Sequence, residues 1–236
     1  MRRVLPVLLL AATLLGGCAT VGTPSPKDPL QGLNRGTQAF NDAVDEAALK
    51  PLAEAWVEYV PQPVRTGVRN FFGNLGDGWS AVNHLLQAKP EPALNMTLRM
   101  AVNTVFGLGG VLDIASEAGL ERDSEDLGQT LGRWGMPAGP YLVLPLLGPS
   151  TLRDTAALPL DMAATSTALV TGSEGRRLSG TLLNVVDTRA RFLGAGRLLD
   201  DIALDRYSFL RDAYLARRQN QVYDGDPPEE GDDATK

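Results

Sequence analysis

The stretch DLGQTLGRWGMPAGPYLVLPLLGPSTLRD, residues 126–154, is the segment around which the rest of the chain is organised. Residues 134–152 carry no charge, and this run is long enough to cross a hydrocarbon layer as a helix. A continuous helix is excluded, because prolines and glycines remove hydrogen-bond donors and break the helical turn. Irregular backbone at membrane depth survives only where protein or a wet cavity covers it. The stretch therefore predicts an apolar, irregular element packed inside the protein, broken at Gly135, Pro137, Gly139, Pro140, Pro145, Gly148 and Pro149.

Four blocks of this sequence, in order, resemble the MlaA/VacJ family of outer-membrane lipoproteins. They are DPLQGLNR (28–35), VPQPVRTGVRNFFGNL (60–75), NTVFGLGGVLDIA (103–115), and EDLGQTLGRWG with GPYLVLPLLGPSTLRD (125–135 and 139–154). The resemblance implies a single ring-like helical domain with an amphipathic central channel, lipid-anchored and embedded in the outer membrane of Gram-negative bacteria. It also implies removal of misplaced phospholipid from the outer leaflet toward the periplasm. The implied partners are phospholipids, trimeric porins and a soluble periplasmic lipid carrier.

The N-terminus predicts a lipoprotein signal peptide over residues 1–17. Arg2 and Arg3 precede an apolar run that is too short to span a membrane, and Leu15-Gly16-Gly17 then leads to Cys18. We expect Cys18 to be acylated, and the following Ala19 favours sorting to the outer membrane, on the periplasmic side. The alternative is an ordinary cleavage site beside a chance cysteine.

Composition limits the remaining possibilities. The single cysteine, if acylated, leaves no intramolecular disulfide, and the net charge of −6 disfavours nucleic-acid binding. Residues 18–29 form a proline-rich linker, residues 30–219 the folded domain, and residues 220–236 an acidic tail that we expect to be disordered, with a tether as the alternative.

Apolar residues recur at helical spacing in at least seven segments, whereas no alternating run exceeds about four residues. The fold class is therefore all-α. The predicted helices start near Leu33, with an end or kink at Lys50-Pro51, and near Leu52, Val64 (closing near Gly73), Trp79, Pro90, Thr151 (capped by Ser150 and bent at Pro159), Ser173 (interrupted at residues 194–196) and Ala203 (ending near Gln219).

Catalytic and cofactor motifs are missing from the sequence. His84 is the sole histidine, so a zinc site or a histidine-based triad is disfavoured, and we predict a structural or surface role for it. No G-x-S-x-G elbow or complete phosphate loop is present. The sequence thus predicts no enzyme, no metal and no cofactor. A lipase is the less favoured alternative, and a structural lipoprotein that scaffolds an envelope complex is the main one.

Charged residues bracket the uncharged segments. They would lie in a headgroup zone if those segments enter apolar surroundings, or they are ordinary surface charges. Three aromatic residues could likewise lie either at a membrane interface or in the protein core. The charged residues are Asp113, Asp126, Arg133, Arg153 and Asp154, and the aromatics are Trp79, Trp134 and Tyr141.

A phospholipid headgroup crosses hydrocarbon at high cost unless a polar groove accompanies it. Because no nucleotide motif is present, we expect passive movement. Three segments are candidates for the channel wall and its gate, with packing or turn roles as the alternative. They are Phe40 and Asn41; the joint Gly107, Gly109 and Gly110; and Tyr141, Leu144 and Leu147 in the proline-broken segment.

Overall fold

The structure is a computed structural model, and it describes residues 28–165, 174–196 and 204–228. The signal peptide, Cys18, most of the linker and the residues after 228 lie outside the described residues. The all-α class is confirmed, since the described part contains nine α-helices and one two-stranded sheet. The elements are α1 (Gln31–Val44), α2 (Lys50–Tyr59), α3 (Gln62–Leu86), α4 (Pro90–Val105), α5 (Ile114–Glu117), α6 (Leu127–Arg133), β1 (Tyr141–Leu144), β2 (Gly148–Thr151), α7 (Leu152–Ala164), α8 (Glu174–Arg191) and α9 (Arg206–Val222).

Helices α1 and α2 are joined through a π-helical segment, Asp45–Leu49. Pro51 cannot donate to the preceding turn, and a wider turn just before a proline is a common way to relieve that conflict. The predicted kink at Lys50-Pro51 therefore corresponds to a π-segment, and the chain stays helical through it.

Helix α3 is continuous, and the prediction of two helices closing near Gly73 and restarting at Trp79 is wrong. Two glycines of this helix, Gly73 and Gly78, lie at close contacts with other elements instead. A Cβ on Gly73 would lie 2.9 Å from the Arg122 guanidinium, and one on Gly78 would lie 2.7 Å from the Met100 sulfur. Glycine is present because neighbouring elements approach closely there, not because the helix ends.

Helix α4 forms as predicted, beginning at a proline that suits the first helical position. Three of its large apolar side chains face outward, since Leu94, Leu98 and Val105 are 60%, 43% and 71% exposed. The side chains that it buries include Arg99 and Asn103, both under 2% exposed. This helix thus exposes large apolar side chains and buries a charged and an amide side chain beside the apolar Ala93 and Met96, which departs from the usual pattern for a helix packed on a water-soluble core.

The central stretch contains a short β-hairpin and is more regular than predicted. Strands β1 and β2 pair antiparallel, with Tyr141 opposite Thr151 and Leu144 opposite Gly148. Prolines are tolerated in such a ribbon because each strand has a free edge. The three-residue connection places Leu146 at φ +64°, and Gly148 follows at φ +82°.

Polar side chains begin the later helices. The Asp126 carboxylate accepts the Gln129 amide at the start of α6, and Thr151 accepts the Asp154 amide at the start of α7, so Thr151 and not Ser150 is the cap. Pro159 lies inside α7 as predicted, and residues 166–171 of the predicted helix lie outside the described residues. Helix α9 continues to Val222, three residues beyond its predicted end. None of the helices in the described ranges combines the length and apolar character needed to cross a bilayer.

Candidate functional site

A cavity of about 270 Å³ opens between the hairpin and three helices. Helix α6 contributes its capping residue, α7 and α9 contribute one face each, and β1, β2 and their connection form the remaining wall. One part of the wall is apolar and the rest carries ionisable or amide groups, so the cavity is amphipathic. The lining residues are Asp126, Leu144, Leu147, Pro149, Ser150, Asp154, Leu158, Asp161, Tyr214, Arg217, Arg218 and Gln221.

Arg218 forms ion pairs with two carboxylates of the cavity wall, Asp126 and Asp154. Its guanidinium donates to both oxygens of Asp126 at 2.6 Å and to Asp154 at 2.9 and 3.1 Å. Burial alone would lower the pKa of Arg218, but hydrogen bonds from its guanidinium to both carboxylates, and their negative charge, raise it. Burial alone would raise the pKa of Asp154, but Arg218, Arg153 and Tyr214 together lower it. These groups join α6, α7 and α9 at the cavity.

The structure brings four of the eight predicted channel residues to the hairpin, and a fifth, Phe40, adjoins one of them on α1. Leu144 and Leu147 line the cavity. Asn41 lies beside the turn, where its amide donates to the Leu144 carbonyl at 2.9 Å and its oxygen accepts the Leu146 amide at 2.7 Å. Phe40 is about half exposed next to Asn41 on α1, and Tyr141 is fully buried at the other end of β1.

Tyr141 is part of a polar cluster that fixes the hairpin. Asn34 donates to the Tyr141 carbonyl and accepts the Val143 amide, both at 2.9 Å, and Asp28 accepts from Asn34 at 3.0 Å. The Tyr207 hydroxyl also donates to Asp28, at 2.5 Å. Burial raises the pKa of Tyr141 to about 12, with a further contribution from Asp28, so the phenol stays protonated. Its position indicates a packing role.

The three remaining predicted residues lie elsewhere, in the connection from α4 to α5. There the Gly110 amide donates to the Asn103 carbonyl at 2.9 Å, and the Leu112 amide donates to the Gly107 carbonyl at 2.9 Å. A Cβ on Gly107 would lie 2.2 Å from the Leu112 oxygen, so only glycine fits there. This connection, residues 106–113, is called the glycine loop below. Its joint-like behaviour stays a prediction.

The bracketing charges form internal ion pairs more than either interpretation expected. Arg99, fully buried, donates to Asp113 at 3.1 and 3.2 Å and to Asp77 at 3.4 Å. Asp126, Asp154 and Arg153 belong to the Arg218 cluster, while Arg133 is exposed. The aromatic residues separate: Tyr141 is core, Trp134 is 59% exposed, and Trp79 donates to Asp161 at 2.6 Å.

His84 is fully buried, and its Nε2 lies 3.1 Å from the Asp123 carbonyl oxygen. The sequence analysis missed that Asp123 and Glu125 lie near enough for the three side chains to face one metal ion. Both Glu125 oxygens are already engaged, one by Gln87 at 2.9 Å and one by the Lys89 ammonium at 3.2 Å. The Lys89 ammonium already pairs with the Glu125 carboxylate, so these contacts are consistent with a structural network.

Sequence reasoning also missed Asp161, Tyr214, Arg217 and Arg218 as cavity residues. Their spacing carried a signal, since Asp154, Leu158 and Asp161 stand at i, i+4 and i+7 of one helix. A second set at i, i+3, i+4 and i+7 is Tyr214, Arg217, Arg218 and Gln221. Each set marks one helix face, but only the fold brings the two faces together.

Helices with outward apolar side chains and paired charges inside, around an amphipathic cavity, define a helical protein suited to contact with lipid. The family model described as MlaA lipoprotein matches residues 26–221. The chain is similar to the intermembrane phospholipid transport system lipoproteins MlaA of Escherichia coli K12 and Shigella flexneri, each at 38% identity, covering 90% of this chain and 86% of the relative. The corresponding Haemophilus influenzae protein is 34% identical, covering 92% and 89%.

A solved structure, described as the structural basis for maintenance of bacterial outer membrane lipid asymmetry, has the same fold. It matches with a TM-score of 0.71 at 34% identity, covering 83% of this chain and 98% of that chain. The chain belongs to the MlaA lipoprotein family.

Proposed function

We propose that this lipoprotein removes mislocalised phospholipid from the outer leaflet of the outer membrane and passes it toward the periplasm, so that lipid asymmetry is maintained. The observation that carries the proposal is the amphipathic cavity beside the hairpin, where Leu144, Leu147 and Leu158 face charged groups of α7 and α9. Relatives at 38% identity are named for intermembrane phospholipid transport.

The cavity reduces the barrier that a headgroup meets. Moving a charged group from water into hydrocarbon costs several kcal/mol at least, on the order of 3 or more. A wall that offers ionisable groups on one side and leucines on the other solvates both parts of a phospholipid. No nucleotide motif is present in the sequence, so movement is passive and its direction depends on which leaflet can enter and what receives the lipid.

The outer surface supports a position in contact with the membrane. Exposed large apolar side chains occur on most of the helices, and on α4 and the glycine loop Leu94, Val105, Phe106 and Leu108 are each at least 60% exposed. Extensive exposed apolar surface marks membrane or protein contact. Together with the acyl chains expected on Cys18, it anchors the protein on the periplasmic side of the outer membrane.

The partners follow from the family resemblance. Trimeric porins would hold the protein in the outer membrane, and a soluble periplasmic carrier would receive the lipid. The glycine loop and the hairpin turn remain the candidates for the gate of the pathway.

Filling the cavity tests the function. Leu158→Trp adds bulk to the cavity wall, and Leu160→Trp adds the same bulk to the same helix at an exposed position outside the cavity lining. In a strain that lacks the gene, the wild-type and Leu160→Trp proteins restore a low fraction of aminophospholipid labelled by a membrane-impermeant reagent. Leu158→Trp, at equal protein level, leaves that fraction high. Full restoration by Leu158→Trp would remove the cavity from the pathway.

A further inference from the structure

The size of the cavity selects one part of a phospholipid. Sites that enclose a whole drug-sized ligand measure about 300–1,000 Å³, and this cavity of about 270 Å³ lies just below that range. A diacyl phospholipid is larger than a drug-sized ligand. The cavity can therefore enclose only one part of the lipid, while the rest lies against the leucines of the wall or outside the cavity. The ionisable groups on the remaining wall indicate that the enclosed part is the polar one.

Most charges in the wall are already neutralised. Asp126 and Asp154 share Arg218, and Asp154 is also held by Arg153 at 3.1 Å and by the Tyr214 hydroxyl at 2.9 Å. Removing Arg218 would leave Asp126 without its cation, so the members of this set are engaged with one another. This set therefore shapes the wall and has little capacity left for a ligand.

Two opposite charges in the wall remain available. Arg217 forms no ion pair with any residue in the described ranges. Asp161 accepts the Trp79 indole N–H at 2.6 Å and the Leu127 amide at 2.9 Å, both at Oδ1, and its Oδ2 has no partner in the described part of the chain. Burial raises the pKa of Asp161, and the nearby Asp126 adds to the effect, so a cation would stabilise this carboxylate.

We infer that the cavity is a headgroup subsite for a zwitterionic phosphodiester that bears a primary ammonium, with Arg217 facing the phosphate and Asp161 Oδ2 facing the ammonium. The lining contains three carboxylates and two guanidiniums, so it disfavours a headgroup that carries only negative charge. The subsite would thus bind phosphatidylethanolamine in preference to phosphatidylglycerol. This inference rests on the proposed function, since it assigns the headgroup end of the same pathway.

The experiment measures bound lipid by native mass spectrometry. Detergent-solubilised full-length lipoprotein is incubated with equimolar phosphatidylethanolamine and phosphatidylglycerol of the same chains, and with glycerophosphoethanolamine in a separate arm. The wild-type protein binds phosphatidylethanolamine in excess, and the soluble headgroup binds much more weakly because it lacks the chains that contact Leu144 and Leu147.

Two variants test separately the proposed contact of Arg217 with the phosphate and that of Asp161 with the ammonium. Arg217→Ala lowers occupancy by both lipids about fivefold, the equivalent of one exposed ion pair of about 1 kcal/mol. Asp161→Asn keeps an oxygen for Trp79 and Leu127, and it removes the preference for phosphatidylethanolamine while phosphatidylglycerol binding is retained or rises. The matched controls Arg69→Ala and Glu121→Gln change charges of exposed residues outside the lining and leave both quantities unchanged.

The outcomes separate a failure of the headgroup subsite from a failure of the proposed function. If the wild-type protein binds lipid but neither variant changes its amount or headgroup ratio beyond its control, the subsite is wrong while the proposed function stands. If glycerophosphoethanolamine binds as tightly as the diacyl lipid, the cavity is a site for a soluble phosphodiester, and the lipid assignment fails. If the wild-type protein binds neither lipid, both the subsite and the proposed function are contradicted.

Discussion

The glycine loop and the turn between β1 and β2 both interrupt apolar segments of the chain, but different contacts hold them in place. The glycine loop is fixed by the polar interior, because Asn103 and Asp113 hold its ends and Gly107 has no room for a side chain. The turn between β1 and β2 is held chiefly by one side chain, Asn41, and Leu147 of that turn lines a cavity. The same sequence signal, a glycine or proline within an apolar segment, thus marks a sterically restricted loop in one place and a cavity wall in another.

The difference shows where this protein places its polar groups. Beneath the glycine loop, the fully buried Arg99 pairs with Asp77 and Asp113, whereas at the hairpin the ion pairs of Arg218 line part of the wall of an open cavity. We therefore expect substitutions under the glycine loop to act on stability and substitutions at the hairpin to act on lipid handling.

Removing the Arg99 charge should have the largest effect on stability. Arg99→Ala removes the buried cation that pairs with Asp113 and leaves Asp77 paired only with Arg122, which donates to it at 2.7 and 3.1 Å, so we expect a loss of about 3 kcal/mol in the free energy of unfolding. Denaturant unfolding of the detergent-solubilised protein, followed by circular dichroism, measures it. Arg69→Ala, at an exposed position of α3, is the control and should change little. Equal stabilities of the two variants would show that the network does not support the loop.

A pair of glycine substitutions tests how tightly the loop is clamped. Gly107→Ala drives a Cβ into backbone oxygens 2.2 and 2.4 Å away, and overpacking of this kind costs about 2–3 kcal/mol. Gly109→Ala meets no atom within 4 Å and suffers only from its φ of +73°, a cost of about 1 kcal/mol. The melting temperature should fall further for Gly107→Ala. Similar shifts for both would mean that the loop yields easily, as a joint would.

A pair of asparagine substitutions compares the two loops directly. Asn41→Ala removes two hydrogen bonds from the hairpin turn, and Asn70→Ala removes one, to the Val111 carbonyl of the glycine loop at 3.0 Å. Each bond contributes about 0.5–1.5 kcal/mol. Both variants should be destabilised modestly, but only Asn41→Ala should increase surface-labelled aminophospholipid in cells. An increase with Asn70→Ala at normal protein level would contradict the division between the loops.

Acid should weaken the glycine loop through Asp113. Burial alone would raise the pKa of Asp113, but hydrogen bonds from Ser116 and Asn103 and the Arg99 charge lower it to about 2. A carboxyl whose folded pKa lies below the unfolded value stabilises the fold above about pH 4, and that contribution is lost as the pH falls toward 2. The melting temperature of Asp113→Asn should therefore depend less on acid pH than that of the wild-type protein, whereas exposed Glu117→Gln should follow the wild type.

The sequence predicted helix positions better than helix surroundings. Periodicity placed α4 at Pro90 and marked Leu94, Leu98 and Val105 as one face, but spacing does not state whether that face meets protein or lipid. The break expected at Gly73 did not occur, because a glycine that admits Arg122 and a glycine that ends a helix look alike in one sequence.

The cavity was predicted only in part. Leu144 and Leu147 stood out because proline-broken apolar residues are uncommon, and the hairpin escaped notice because its strands have only four residues each. Arg217 and Arg218 sit in a polar helix whose surface charges look ordinary. Arg218 contacts α6 and α7 across more than 50 residues of chain, as in its pair with Asp154, and Arg217 lies beside it in the same cavity wall. A local sequence pattern cannot indicate such long-range contacts.

Photo-crosslinking at the two loops tests the central claim most directly. A benzophenone amino acid replaces Leu147 at the hairpin or Leu108 in the glycine loop, both exposed leucines, and each is combined with Leu158→Trp or with Leu160→Trp in cells. If the hairpin cavity holds phospholipid, filling it with Leu158→Trp lowers the lipid adduct at position 147 severalfold and leaves the adduct at position 108 unchanged, and Leu160→Trp alters neither. An adduct at position 147 that is unaffected by Leu158→Trp, or that falls in step with the one at position 108, would contradict the account.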